Sequence, residues 1–280
     1  MVKIVTDSVS DISAEMAQEL DITVLPILVR FGEEVYRDGV DISTEQLYQK
    51  LMSRKDFPHT AVPAPADIAQ AYEDLAEESN EILSIHLSSK QSAFCEAALA
   101  ARDMVKRKCR IEVIDSLISS GGEGILVIAA AKEAQRGASL EQIIDTVKEL
   151  IPKTHLRMAF DTLEYLRWGG RIGAAQALMG SLLKIHPICG IKEGEGVTIG
   201  VARARSRAKA IDWLYNYVEG FSGRIKELGV GYATTPDEAD AFIERLGGLF
   251  PKERIYKLQV GCVTGTHVGP HVMSVSLIEE

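Results

Sequence analysis

Two hydrophobic rhythms alternate along the first half of this chain. Short apolar runs ending in polar residues, such as K-I-V-T-D from Lys3, E-I-L-S-I-H-L from Glu81 and R-I-E-V-I-D from Arg110, have the length and composition of buried strands. Between them, apolar residues recur at helical spacing. The pattern predicts strands over Lys3–Val5, Glu81–Leu87 and Arg110–Asp115, with extended chain over Ile22–Arg30. It predicts helices over Ser13–Leu20, Ser43–Met52, Pro65–Glu78, Gln91–Lys108, Ile118–Gln135 and Leu140–Leu150. Such alternation implies an α/β layer on a parallel sheet.

After Ile151 and Pro152 the rhythm changes. Thr154–Phe160 and Lys184–Ile191 read as extended, an E-G-E-G turn leads into V-T-I-G-V-A-R-A-R, helices fit Ser206–Glu219 and Pro236–Leu246, and strands fit Glu227–Ala233, Arg254–Val260 and Val272–Ile278. We therefore expect an α/β chain: an N-terminal parallel-sheet α/β domain over residues 1–152, and a C-terminal α+β domain with a mixed or antiparallel sheet over residues 153–280.

In an open parallel sheet, binding groups collect at the carboxyl ends of strands. Asp7, Ser8, Ser88, Ser89, Asp115 and Ser116 fall there, although each also suits the cap of the helix that follows. Two segments, H-T-A-V-P-A-P from His59 and H-L-S-S-K-Q-S-A-F from His86, put hydroxyls beside helix starts, where free backbone N–H groups favour an anion. Ser92, read as lying within the first turn, fits capping less well than Ser88 or Ser89. Two further segments are read as loops that place one side chain each. In L-E-Y-L-R-W-G-G-R-I, Gly169 and Gly170 let Arg171 leave a tight turn, and in G-T-H-V-G-P, His267 stands between Gly265 and Gly269. Taken singly, Arg171 reads as a surface cation and His267 as a loop histidine.

Composition narrows the function classes. A net charge of -9 argues against a protein that tracks nucleic-acid phosphates. The N-terminus lacks the pattern of a signal peptide, and the longest apolar stretch, Ile125–Ala131, is too short to span a bilayer. Cys95, Cys109, Cys189 and Cys262 form no C-x-x-C pair, so we expect a reduced, cytoplasmic protein with neither zinc nor disulfides. No G-x-x-x-x-G-K-[ST] loop is present, so no ATP site and no cofactor are expected in this chain.

The order T-D-S at Thr6, T-A-V-P at Thr60, S-S-K-Q-S at Ser88, V-I-D-S at Val113, G-G-R-I at Gly169 and G-T-H-V-G-P at Gly265 resembles the DegV family from end to end. The resemblance implies binding of one long-chain fatty acid. It also implies a role as the acyl-carrying subunit of bacterial fatty acid kinase, not itself an enzyme, whose partner is the separate ATP-dependent kinase subunit that phosphorylates the carboxylate. Transient contact with a membrane is a further implied partnership. Carried over by motif, Thr60, Ser92, Arg171 and His267 surround the headgroup, with Ala61, Ser89, Phe94 and Thr266 lining the tunnel or standing behind them.

The physics of a buried fatty acid agrees with that donor set. Each methylene removed from water contributes ~0.8 kcal/mol, whereas an unpaired buried carboxylate is costly. Thr60 and Ser92 are expected to touch the carboxylate without quenching its nucleophilicity, and Arg171 and His267 to sit toward the opening. Three departures from the family pattern bear on acyl selectivity: Ala61 and Val62 replace Ser-Gln, Ala93 and Phe94 replace Gly-Thr, and His271 replaces a glycine. Two rivals are a serine hydrolase or acyltransferase using Ser92, His267 and Asp7 or Asp115, and a sugar-kinase-like subunit holding a polar ketone through His267. No G-x-S-x-G elbow supports the former. The basic run Arg203, Arg205, Arg207 and Lys209 reads either as a solvated strand end or as a dock for an acidic kinase partner.

Overall fold

A computed structural model describes residues 1–53, 57–179 and 185–280. The first half runs β1 (Lys3–Asp7), α1 (Ala14–Glu19), β2 (Ile22–Leu25), β3 (Leu28–Phe31), β4 (Glu34–Arg37), α2 (Thr44–Ser53) and β5 (His59–Ala61). It continues through α3 (Pro65–Leu75), β6 (Glu81–His86), α4 (Phe94–Arg102), β7 (Arg110–Asp115), α5 (Ser120–Gln135) and α6 (Leu140–Leu150). The second half contains β8 (Thr154–Ala159), α7 (Glu164–Trp168), β9 (His186–Ile191), β10 (Thr198–Ala204), α8 (Arg207–Glu219) and β11 (Ile225–Tyr232). It closes with α9 (Pro236–Leu246), β12 (Ile255–Gln259), α10 (Cys262–Val268) and β13 (Met273–Glu279). Lys184, placed by the sequence at the start of the strand that ends at Ile191, lies outside the described residues.

The chain is a mixed α/β protein. Strands β2, β1, β6 and β7 form a parallel sheet in that order, and β10, β9, β8, β13, β11 and β12 form a larger mixed sheet in which only β11 and β12 run parallel. The continuous apolar run of β6 follows from its central place, where both faces are buried. A third, antiparallel sheet of β4, β3 and β5 was not predicted. Its strands are short, and β4 is mostly exposed, so no alternation marks it.

Helix α5 explains its own lack of periodicity. Its residues are buried on nearly every side because it lies between the two large sheets, touching β1 on one side and β8, β11 and β13 on the other. The larger sheet carries helices on both faces. Helices α8 and α9 cover one face and α5 covers the other, since Ile125, Leu126, Leu258 and Ile278 share one apolar cluster. Another cluster joins Val9, Ile27, Leu87 and Phe94 of the first half to Leu156, Met158, Cys189 and Val263 of the second, and the candidate site opens within it.

Candidate functional site

A cavity of ≈ 220 Å³ lies between the β5 and Leu87–Ala93 segments on one side and β8, β9 and β10 on the other. Its walls are mostly apolar. Leu156 and Met158, two residues apart on β8, point into it from one face of the strand, and Val9, Ile27, Leu166 and Val263 close it from elsewhere. Polar groups gather where Thr60, Ser92, Arg171 and His267 meet its lining.

Each of these four is held by its element. Thr60 is the middle residue of β5, in register with Val29 of β3. Ser92 stands in the turn before α4, its Oγ accepting the Phe94 N–H at 3.3 Å, so the helix begins three residues later than predicted. It also ends at Arg102, well short of Lys108. Arg171 follows Gly170, whose φ of 72° is a left-handed conformation that glycine adopts without strain. Its Nε donates to the Gln91 carbonyl at 3.1 Å and its Nη1 to the Gly169 carbonyl at 2.8 Å, which aims the guanidinium edge.

His267 is not in a loop. It lies on α10, a helix that the two flanking glycines disguised. The start of α10 is anchored from the first half of the chain: Asp38 accepts the N–H groups of Cys262 at 3.3 Å and Val263 at 3.2 Å, and Asp11 accepts that of Gly261 at 2.9 Å. Burial, and then the positive charges of Arg171 and His59, push the His267 pKa down to about 4, so the ring is neutral near pH 7. Its Nε2 lies 3.0 Å from Thr60 Oγ1, while Nδ1 is buried without a partner among the described residues. An orphaned N–H costs more than an orphaned lone pair, which places the proton on Nε2 and leaves the Thr60 hydroxyl free to donate into the cavity.

Gly169 is packed directly against that ring. A Cβ built there would lie 2.1 Å from His267 Nδ1, whereas one on Gly170 would meet nothing within 4 Å. Gly169→Ala is therefore expected to displace the imidazole, weaken binding in this cavity roughly 10-fold and lower stability by about 1–2 kcal/mol through overpacking. Gly170→Ala is expected to cost about 1 kcal/mol of backbone strain with binding little altered. Denaturation midpoints and ligand titration of the two variants check the contrast, and equal binding losses would contradict it.

Of the remaining predicted residues, Ala61 lines the cavity but Ser89, Phe94, Thr266 and His271 do not. Ser89 is exposed and its N–H donates to Asp115 Oδ1 at 3.2 Å. Phe94 is fully buried against His86, with ring centroids 4.5 Å apart, because α4 turns it into the core. Thr266 is buried and donates to the Cys262 carbonyl at 2.9 Å. His271 is exposed. Sequence reasoning missed Gln91, Ser119, Thr198 and Thr264, which line the cavity. Only Gln91, next to Ser92, carried a positional hint.

The hydrolase geometry does not form. Among the described residues His267 meets a threonine and no carboxylate. Asp7 is committed elsewhere, with Oδ2 3.0 Å from His86 Nδ1 and accepting the Leu87 N–H at 3.2 Å, and Oδ1 accepting the Val9 N–H at 3.0 Å. The buried chain runs on from His86 to Ser84 and Tyr72, and it fixes Val9 and Leu87 as cavity wall. Asp115 accepts from Leu117 and Ser89.

The whole chain, residues 1–280, matches the family described as "Uncharacterised protein, DegV family". The chain belongs to the DegV family. Among relatives of the DegV family, it is 36% identical over 283 residues to a DegV domain-containing protein of Caldanaerobacter subterraneus subsp. tengcongensis, covering 100% of this chain and 99% of that one. It is 31% identical over 277 residues to Protein DegV of Bacillus subtilis, covering 98% of each. A DegV family protein from Thermus thermophilus, described by its fatty acid binding, superposes with a TM-score of 0.90 at 30% identity, covering 100% of this chain and 99% of that one. Bacillus subtilis DegV, described as a fatty acid binding protein, does so with a TM-score of 0.88 at 30% identity and the same coverage. A stearic acid-binding protein from Eubacterium ventriosum gives a TM-score of 0.90 at 26% identity, covering 100% and 98%. No helix among the described residues of this DegV chain is long and apolar enough to cross a membrane.

Proposed function

We propose that this protein holds one long-chain fatty acid with its tail in the apolar cavity and its carboxylate at Thr60, Ser92, Arg171 and His267. The observation that carries the reading is that polar cluster on the wall of a mostly apolar cavity. Thr60, relieved by His267 Nε2, offers its hydroxyl proton, and Arg171 supplies the positive charge that a buried carboxylate needs. Fatty acid binding by the solved relatives supports the same ligand class.

The carboxylate is in turn presented to a separate ATP-dependent kinase subunit. There a carboxylate oxygen attacks the γ-phosphorus of ATP, the bond to the bridging oxygen breaks, and ADP leaves an acyl phosphate behind. Neutral hydroxyl donors leave the attacking oxygen more nucleophilic than a bidentate arginine clamp does. The basic run offers less of a docking patch than its sequence suggested. Arg203 donates to the Ala177 carbonyl, Arg207 pairs with Glu238 at 2.6 Å and Lys209 with Asp212 at 3.2 Å.

Native mass spectrometry of gently purified protein tests the binding step. A single mass increment matching one long-chain fatty acid, removed by organic extraction and reduced in a Thr60→Val, Ser92→Ala double variant, is the expected result. A bare protein mass that added oleate or stearate leaves unchanged would refute it. Hydroxylamine trapping of an acyl hydroxamate, seen only with the kinase subunit and ATP together, tests the second step.

A further inference from the structure

The cavity wall carries a cross-strand pair of sulfur-bearing side chains that the headgroup cluster does not use. Met158 of β8 and Cys189 of β9 are register partners in their antiparallel pair, and both line the cavity. Residues two apart on a strand share a face, so Met158 points the same way as Leu156 and Cys189 the same way as Ile191, all four being cavity wall. Both sulfur-bearing residues are closed to bulk water, at 6% and 2% exposed. Four other methionines, Met1, Met52, Met104 and Met179, are each at least 40% exposed. Met273 is fully buried, but it belongs to the apolar cluster under α8 and α9 and does not line the cavity.

An oxidant in bulk water meets the exposed methionines first, so Met158 is open chiefly to one that the cavity itself takes up. An acyl chain bearing a peroxide is such an oxidant. The two sulfurs differ in what they do with it. A thiol attacks as its thiolate, and burial pushes the Cys189 thiol up to about 12, so it stays protonated and unreactive. A thioether has no proton to lose and is oxidised as it stands.

We propose that Met158 is an oxygen-accepting site for fatty acid hydroperoxides, the cavity bringing the peroxide of a bound chain against its thioether. This rests on the fatty-acid reading above and adds a reaction to it. A lone pair of the Met158 sulfur attacks the terminal peroxide oxygen, an S–O bond forms as the O–O bond breaks, and the terminal proton passes to the oxygen left on the chain. Sulfur is oxidised to the sulfoxide and the hydroperoxide is reduced to a hydroxy acid, with no other reactant. The sulfoxide then sets a polar oxygen among Leu156, Phe160 and Ile191, so a plain acyl chain is expected to bind the oxidised protein about 10-fold more weakly.

Full-length protein stripped of lipid is given linoleate, positional isomers of linoleate hydroperoxide, or hydrogen peroxide, and oxygen gained at each methionine is read by peptide mass spectrometry. A peroxide held in the cavity acts at an effective concentration of the order of millimolar, so at about 10 μM acid at least one isomer is expected to oxidise Met158 roughly 100-fold faster than Met52 or Met273. One hydroxy acid should form for each Met158 sulfoxide. Hydrogen peroxide should reverse the order and oxidise Met52 ahead of Met158. Met158→Leu, close in volume, is expected to abolish the rapid reduction of hydroperoxide, and Met273→Leu to leave it in place. The map of the unaltered chain decides the matter if the first variant folds poorly. The proposal is overturned if linoleate binds but every isomer oxidises the exposed methionines ahead of Met158, or if the oxygen is found on Cys189 instead. It is also overturned if hydrogen peroxide too oxidises Met158 first, or if the sulfoxide form binds linoleate as tightly as before. Failure of linoleate and all its hydroperoxides to bind overturns the fatty-acid reading itself, and this proposal with it.

Discussion

Arg171→Gln is expected to weaken long-chain fatty acid binding roughly 10- to 150-fold, the loss of one charge-assisted hydrogen bond of about 1.5–3 kcal/mol. Arg171 has to supply the charge because the other candidate cannot. His267 sits in a buried site beside Arg171 and His59 that holds it neutral down to about 4. The guanidinium is already positioned, with two of its nitrogens tied to the carbonyls of Gln91 and Gly169. Little side-chain entropy is therefore lost when a carboxylate arrives. Glutamine keeps donor capacity at similar reach but not the charge, and Arg171→Lys keeps the charge but loses the fork, so lysine should fall between the two. Fluorescent fatty-acid displacement on all three proteins measures the series. Wild-type affinity in Arg171→Gln would remove Arg171 from the headgroup site.

Asp11→Asn is expected to flatten a decline of stability with rising pH. Burial, opposed by hydrogen bonds from Ser120 and Gly261 and assisted by Asp38, pushes the Asp11 carboxyl from 3.8 up to about 7. Between those values the folded protein holds a proton that the unfolded chain releases. This contribution is therefore complete below about pH 4 and is lost as pH rises through 7, an effect of ~4 kcal/mol. Glu193 acts oppositely. Its carboxylate, although partly buried, is held down at about 2 by His155 and Arg157, so its contribution is present above 4.5 and disappears only in acid. Asp38 and Glu123 are also raised, by burial, so the variant should be shallower than wild type without becoming flat. Urea denaturation at pH values from about 4 to 8 tests this, and parallel curves for the two proteins would mean that Asp11 is ionised throughout. Because Asp11 bonds Gly261, its ionisation acts at the root of the helix that carries Thr264 and His267.

What was legible in the sequence follows from how local each signal is. β6 could be read because a central parallel strand is buried on both faces, β7 because its apolar residues interleave with polar ones over six positions, and α6 because its amphipathic face and its Ser139–Gln142 capping box lie within eleven residues and one flanking position. α10 could not. It is short, glycine interrupts it, and what makes it a helix is its anchorage on Asp11 and Asp38, more than two hundred residues away, together with its packing on α2. Phe94 was hidden for another reason: its place near Ser92 suggested the cavity, but the orientation of α4 turns it against His86.

By itself the sequence determined the mixed α/β class, the family, and four side chains, Thr60, Ser92, Arg171 and His267, whose chemistry suits a carboxylate, because residue type and short-range spacing carry that information. Only the tertiary structure decided that Thr60 and His267 share a hydrogen bond across 207 residues of chain, that His267 is neutral, and that Ser92 and Arg171 line the same cavity as that pair. Burial and long-range hydrogen bonding set those properties, and both arise only when distant segments pack together.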